Sequence, residues 1–522
     1  MELSTIKIHT ARQIGRAESQ ITLDDDYNVP DYRPDIVKII RQQGTIKLEE
    51  TKSAPGAVFL KGKLVFRVLY RSDQENGKIS CLKGELPFQE KLNMDGISEY
   101  DPVRVNGEVE DLSIGVIHSR KLNVRAVLIL RGVIERTAIG EVADGVREEK
   151  DVFTLHKPIA ISELLFAKHD VCRQKNEMIL PSSKPNIREI LWKSIELRNV
   201  GSRLDSEGVH ITGEVLLSVL YQEEEEIDRV QWYETTVPLS CTTELDMAHL
   251  ADGGEVFYQI QIEDVGKELE VKPDYDGEER MLVLDLQMHV YIRIWQEKKL
   301  KMLADVYSLK KELQPEERTF FSEHLLMRNE AVCKMSEVME LMESQEKILQ
   351  ICSVEGKARI DSVKFSTEGA FVEGTLFVTL LYITTDDQMP VGSLQKIYPF
   401  EQFIELPPAN GSLQPEWSSE LMQLSASMTD QTHAEIKAAI SITVLLFEKQ
   451  EQKYIFAVKE SVLDDEKLQK MPGLTGYIVG KGDTLWSIAK EHHTTTEAIM
   501  QANQKKEEGL KVGEKLLIIK QA

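Results

Sequence analysis

Few residues in this 522-residue chain have types and spacings that suggest chemistry, and none completes a catalytic pattern. The stretch GYIVGKGDT, from Gly476 to Thr484, has the glycines and lysine of a phosphate-cradling loop. That loop needs four residues between its glycines and a serine or threonine directly after the lysine. Here three residues separate Gly476 from Gly480, and Gly482 follows Lys481. His492 and His493 are adjacent, so they cannot share one helix face to chelate a metal, and they read as a solvated cap. The run Glu223 to Glu226 supplies carboxylates without the alternating ligands of a calcium loop. Neither G-x-S-x-G nor H-E-x-x-H occurs. The cysteines are Cys81, Cys172, Cys241, Cys333 and Cys352, an odd number with no C-x-x-C spacing. They are expected to be reduced, buried thiols and not zinc ligands. His118 and His289 stand in apolar strand contexts and read as structural. The expectation is a non-enzyme with no catalytic residues, no cofactor and no metal.

Bulk properties agree. Formal net charge is −24, which argues against a nucleic-acid binder, since that needs a basic face over the phosphates. Hydrophobic residues are 42% and charged residues 29%, ordinary for a chain of three or four globular domains. MELSTIKIHTARQ at the start has no apolar h-region or small-residue cleavage site, and no run of eighteen apolar residues follows. Neither a secretory signal nor a membrane span is expected.

Stepping along the chain, one pattern returns three times. KGKLVFRVLY, TGEVLLSVLY and EGTLFVTLLY each place a glycine eight positions before a tyrosine: Gly62 and Tyr70, Gly213 and Tyr221, Gly374 and Tyr382. The glycines are separated by 151 and then 161 residues. Upstream, at the same offset, stand PDIVKII (Pro34), PNIREIL (Pro185) and EKILQIC (Glu346); downstream, Pro87-Phe88, Pro238-Leu239 and Pro399-Phe400. Cys172 and Cys333 also fall in register. VFLKGKLVFRVLY, LNVRAVLILRGVI, LDLQMHVYIRIW and IKAAISITVLLF alternate with a period near two, as half-buried strands do. Acidic and glycine clusters such as DQENGK and YQEEEEID punctuate them as loops. PDIVKII is short enough to be one helical turn or a strand entry. Each copy, about 150 residues long, suits one β-sandwich-like domain.

The signature P-x-I-x-x-I, then a glycine-led V-x-V-L-Y strand, then I/L-P-F, resembles the SPOCS domain of spore-forming Firmicutes, over nearly all of residues 1–465. The expected division is 1–157, 158–310 and 311–465, with units closing near DVFTL (Asp151), DVYSL (Asp305) and AVKES (Ala457), then a linker at 466–475.

The tail, 476–520, holds YIVGKGDTLWSIAKEHHTTTEAIMQANQKKEEGLKVGEKLLII. YIV reads as a strand, and Asp483 or Thr484 as a helix cap. Leu485, Ile488 and Ala489 form one buried stripe. Thr494 to Glu497 reads as a capping box for a second helix carrying Ile499. LKVGEKLLII closes with a turn at Gly513 and a strand. This tail resembles a LysM domain, an α+β module of order βααβ. The resemblance implies a groove for N-acetylglucosamine chains between the loop at Gly482, Asp483, Thr484 and Leu485 and the loop from Asn503 and Gln504. The chain departs from the family in Gln504, Lys505 and Lys506, and in His493 where a glycine is common. Trp486 lies about 100° round the helix from Leu485, off the buried stripe. It is expected either to anchor a partner or to pack on the closing strand or a neighbouring domain. The tail carries seven lysines and six acids, a near-neutral module on an acidic body.

The whole is thus mainly β: three tandem β-sandwich-like SPOCS domains and one LysM domain. That order is similar to the clostridial spore-coat morphogenetic proteins. The similarity implies a scaffold in the mother-cell cytoplasm at the forespore surface. Its implied partner is the coat's basement-layer ATPase, stage IV sporulation protein A, contacted in part through the LysM domain. The other class is a wall- or cortex-associated protein that binds peptidoglycan. Limited proteolysis is expected to cut first within DDEKLQKMPG and release a small stable tail; first cuts inside VFRVLY or LLSVLY would break the domain plan.

Overall fold

The structure is a computed structural model that describes residues 1–73, 79–147, 151–226, 229–246, 254–408, 412–463, 471–505 and 509–521. The first unit has strands β1 (Leu3–Asn28), β2 (Ile36–Ala54), β3 (Ala57–Ser72), β4 (Ile79–Asn93), β5 (Val103–His118) and β6 (Lys121–Val146). The second has β7 (Val152–Ile179), β8 (Ile187–Leu204), β9 (Gly208–Glu223), β10 (Val230–Glu244), β11 (Val256–Pro273) and β12 (Glu279–Ser308). The third has β13 (Lys311–Glu340), β14 (Ile348–Phe365), β15 (Gly369–Thr384), β16 (Val391–Glu405), β17 (Ser412–Met428) and β18 (His433–Val462). Each unit is two three-stranded antiparallel sheets. In the first unit these are β1-β6-β5 and β2-β3-β4, and the other two repeat the plan.

The alternation read from sequence is the alternation of burial. Val58, Leu60, Leu64, Phe66, Val68 and Tyr70 point inward from β3 and meet Leu122, Val124, Ala126, Leu128 and Leu130 of β6. The PDIVKII segment enters a strand, with β2 starting at Ile36. β7 begins at Val152 and pairs with β12, Phe153 opposite Tyr307. Residues 152–157 therefore belong to the second unit's ladder, and DVFTL opens that unit while DVYSL closes it. The second connection, between Ser308 and Lys311, contains position 310. Residues 464–470, most of the expected linker and cutting site, lie outside the described residues.

The repeated signature has a mechanical explanation. The glycine faces the downstream aromatic across the ladder, Gly62 opposite Phe88 and Gly374 opposite Phe400. A Cβ at Gly374 would come within 2.2 Å of the Phe400 ring and 2.4 Å of the Arg359 carbonyl, so only glycine lets ring and backbone approach. The tyrosine closes the sandwich end. Tyr70 and Tyr221 are fully buried, and their hydroxyls donate to the Pro34 and Pro185 carbonyls at 3.1 and 3.2 Å. Tyr382 is buried at the equivalent place.

The units are arranged around a common centre. One apolar cluster takes the same position from each copy: Leu69, Leu220 and Leu381; Ile79, Val230 and Val391; Ile40, Leu191 and Cys352. A second does so where the first and last strands of each unit run on beyond the sandwich as a two-stranded ribbon: Ala143, Leu303 and Ile455; Val146, Val306 and Val458. Equivalent positions from three repeats meet this way only about a pseudo-three-fold axis. Ion pairs tie the junctions: Arg33–Glu189 (2.7 Å) between the first and second units, Arg293–Glu416 between the second and third, and Arg41–Glu355 (2.6 Å) between the first and third.

The cysteine expectation is corrected in part. Cys172 and Cys241 form a disulfide, with Cα atoms 6.1 Å apart, while Cys81, Cys333 and Cys352 are free thiols. β7 and β10 lie in opposite sheets of the second sandwich, and both cysteines point into its core, which spacing along the chain cannot reveal.

Replacing Tyr221 with Phe should lower the stability of the second unit by about 1 kcal/mol by removing one buried hydrogen bond, and Tyr221→Ala by about 3–5 kcal/mol. Thermal unfolding of the full chain measures both, and a Tyr221→Phe variant as stable as the wild type would disprove the role of the hydroxyl.

Candidate functional site

The tail folds as β19 (Leu474–Ile478), α1 (Leu485–Glu491), α2 (Thr496–Ala502) and β20 (Lys515–Ile519), with β19 and β20 antiparallel. Its family-like apolar residues are its core: Val479, Leu485, Ile488, Ala489, Ile499, Leu516 and Ile518 are each at most 4% exposed. Thr484 caps α1. Its hydroxyl accepts from the Ser487 N–H at 3.0 Å, and the Ser487 hydroxyl accepts from the Thr484 N–H at 3.0 Å. The cap of α2 is Thr495, which accepts from the Ala498 N–H, and not Thr494. The Thr494 side chain turns inward and donates to the Ile519 carbonyl at 2.7 Å. His493 takes a left-handed conformation, φ 47°, in the place where glycine is usual.

The seven residues nominated for the groove have separate duties. Asp483 accepts from the Gly480 N–H (2.7 Å) and the Tyr477 hydroxyl (2.8 Å); these bonds, the backbone one first, hold its carboxyl below the usual range. Thr484 is the cap, and Leu485 is core. The Asn503 amide clasps the closing strand, donating to the Leu517 carbonyl and accepting from the Leu517 N–H, both at 2.7 Å. Gly482, at φ 95°, and Gln504, at φ 54°, are exposed turn positions.

Trp486 packs on the second unit. Its indole N–H donates to Asp305 Oδ2 at 2.8 Å, and its ring meets Tyr307 edge-on at 4.8 Å. Lys490, one turn on, pairs with Asp305 Oδ1 at 2.7 Å. The Tyr307 hydroxyl donates to the Thr494 carbonyl at 3.0 Å, and Phe153 stacks behind the ring at 5.0 Å. Burial, then the nearby Glu497 and Asp305 carboxylates, push Tyr307 up to about 12. The corresponding residues are Glu2, Gly145 and Arg147 in the first unit and Gln314, Ala457 and Lys459 in the third. Only the second ribbon therefore carries the Phe153–Asp305–Tyr307 seat.

The tail's open surface is on its sheet. Leu474 and Ile478 of β19 and Leu517 and Ile519 of β20 share the face turned away from the helices, exposed by 60%, 64%, 40% and 46%. Elsewhere, His289 is not a lone core histidine, because its ring lies beside that of His169. Among the described residues no group of three or more His, Cys, Asp or Glu is placed to hold a metal ion. No helix is long and apolar enough to cross a membrane.

Three like β-sandwiches gathered about one axis, with a βααβ module seated on one of them, define a repeat protein built from binding domains. The SipL, SPOCS domain family model matches residues 35–117, 186–270 and 347–429, and the LysM domain model matches 477–518. The chain is a SipL-like SPOCS/LysM protein. The SPOCS matches are narrower than the resemblance over 1–465: each runs from the second to the fifth strand of its unit. The long first and last strands that make the ribbons fall outside them. A search among curated proteins and a search among solved structures each find no match.

Asp305→Ala should loosen the tail from the body while each part keeps its fold. Small-angle scattering of the full chain would then report a larger radius of gyration with little change in melting temperature. Ile488→Asp, by contrast, should unfold the tail outright, since it buries a charge in the module's core. An Asp305→Ala variant with wild-type dimensions would show that the ring contacts alone hold the tail.

Proposed function

We propose that this protein is a non-enzymatic scaffold of the spore coat, working at the forespore surface in the mother cell. It docks on a coat basement-layer protein through its LysM module and SPOCS units. By family resemblance the partner is an ATPase like stage IV sporulation protein A. The observation that carries the reading is the apolar sheet face of Leu474, Ile478, Leu517 and Ile519. Large side chains clustered in water are costly, and such patches mark sites of association. The side chains nominated for a glycan groove, by contrast, are used largely in holding the module and its seat. Domain content supports a binding role: SPOCS and LysM domains bind and do not catalyse. The face lies on the opposite side of the sheet from helix α1, which contacts the second unit, so docking would not require the tail to leave its seat.

A second reading rests on the LysM match itself, which favours an N-acetylglucosamine glycan and hence peptidoglycan. Captures from the same purified chain separate the two. On immobilised coat ATPase, Ile478→Asp with Leu517→Asp should weaken capture by about thirtyfold or more, as loss of an interface anchor does, at an unchanged melting temperature. Retention on purified peptidoglycan that survives this double change and fails on Gln504→Ala would instead establish the glycan reading.

A further inference from the structure

The three junctions between units are built from equivalent strands but filled differently. Between the first and second units lies a cleft of about 680 Å³. Its walls are aliphatic, with Ile46, Leu48, Val105, Val133 and Leu164, and it also takes in the polar groups of Arg104, His169 and His289. Between the second and third units, the positions of Val103, Val133 and Ala167 are held by Tyr258, Arg293 and Arg328. Arg328 lies over the Tyr258 ring at 5.2 Å, and Arg293 pairs with Glu416, so large side chains fill that seam. Between the third and first units, the positions of His169, Tyr291 and Glu263 are held by Glu18, Arg131 and Glu108. Arg131 pairs with Glu18 at 2.7 Å and with Glu108 at 3.0 Å, and Lys357 of the third unit closes on Glu108. The first junction has neither the large side chains of the one seam nor the second carboxylate of the other.

We propose that this cleft binds an aliphatic monocarboxylate, a medium-chain fatty acid, with its carboxylate against Arg104 and its chain along the aliphatic walls. A concave, mostly apolar site with a few polar groups that fix orientation is the usual form of a small-molecule site, and domain interfaces are a usual place for one. The volume falls within the range of such sites. Tyr291 carries the one benzenoid ring in the lining, and Arg104 and Arg293 face it at 4.7 and 6.0 Å. The walls therefore suit an alkyl chain better than a stacked aromatic ring. His169 is exposed to solvent beside the cleft, which gives an entry path.

The polar groups have donors to spare. Arg104 donates from Nη1 to Gln261 Oε1 at 2.9 Å, and its Nε lies 3.3 Å from Glu263. Its Nη2 has no partner among the described residues, and a guanidinium presents five N–H groups in a fork that matches a carboxylate. One guanidinium can serve two carboxylates, as Arg131 does for Glu18 and Glu108 in the equivalent seam, so Glu263 need not leave. The imidazoles are donors too. The Gln287 amide nitrogen lies 3.4 Å from His289 Nε2 and donates to it, which leaves the His289 proton on Nδ1, donating to His169 Nε2 at 3.3 Å. Neutral His169 then carries its own proton on Nδ1, with no acceptor among the described residues. Where the first unit has the Glu18 carboxylate, the second has this imidazole, and the ligand's carboxylate supplies the missing acceptor.

The test is calorimetric titration of sodium hexanoate, octanoate and decanoate, each below its micelle concentration, into the full chain. One molecule per chain is expected, with affinity rising by about fourfold for each added methylene that the walls cover. Decanol should bind at least about tenfold more weakly than decanoate, since it lacks the charge-assisted bond to Arg104. Arg104→Gln should weaken decanoate binding by a similar factor. Val103→Tyr with Ala167→Arg, which gives this seam the side chains of the filled one, should abolish it. Melting temperatures measured without ligand establish which variants are folded. No saturable binding of decanoate by the wild type would overturn the proposal, as would decanol binding as tightly as decanoate. So would unchanged affinity in a folded Arg104→Gln variant or in the folded double variant.

Discussion

The central constraint is that one leucine of a repeated strand must be buried three times in one place. Leu69, Leu220 and Leu381 sit at the outer side of their own sandwiches, two or fewer per cent exposed, and none is covered by its own unit's inner core. A single unit would leave this patch, with Ile79, Val230 or Val391 beside it, in water. Burying it against two other copies gains roughly 1.5–3 kcal/mol for each such side chain. It also fixes the angle between units, which a loose string of domains would leave free. The ribbons follow from that arrangement: strands continuing past three sandwiches held about one axis converge into a second shared core.

Once the three units are equivalent in place, their differences become the informative part. The copies share the glycine, the tyrosine and the central leucine, which make sandwich and hub. They differ where they meet each other and where they meet the tail. The second unit alone has the inter-sheet disulfide, the paired imidazoles and the seat for Trp486. That seat combines a charge-assisted hydrogen bond, an ion pair on the same carboxylate and an aromatic edge contact. Such bonds add energy and fix geometry together, so the tail's free sheet face is held in a defined direction relative to the bundle. An oriented apolar face on an acidic body, in a chain of net charge −24, suits the proposed scaffold role, since repulsion discourages indiscriminate self-association.

Much of this architecture was legible in the chain. Period-two burial identified the strands, because a sheet residue faces core or solvent according to its parity alone. The fixed intervals between Gly62, Gly213 and Gly374 established three copies. The tail's stripe of Leu485, Ile488 and Ala489 gave its first helix, because helical neighbours are set by local geometry. All are local or periodic properties, and each survives in one dimension. The glycine–aromatic pairing was visible as a spacing, although its cause, a ring lying on bare backbone, was not.

What only the tertiary structure decided involves residues brought together from far apart by the axis and the sandwich. Nothing local distinguishes a strand leucine that faces its own core from one that faces two other repeats. Cys172 and Cys241 join across two sheets, and no spacing along the chain records which sheet a strand enters. Thr494 and Thr495 carry the same side chain, and the turn after α1 determined which one caps α2 and which is buried. The duty of Trp486 was open for the same reason. Its helix position says only that it leaves the module's own core, while Asp305 and Tyr307, about 180 residues earlier, determine what it meets. A sequence fixes periodicity and local capping because those interactions close within a few residues; partners at long range follow only from how the units pack.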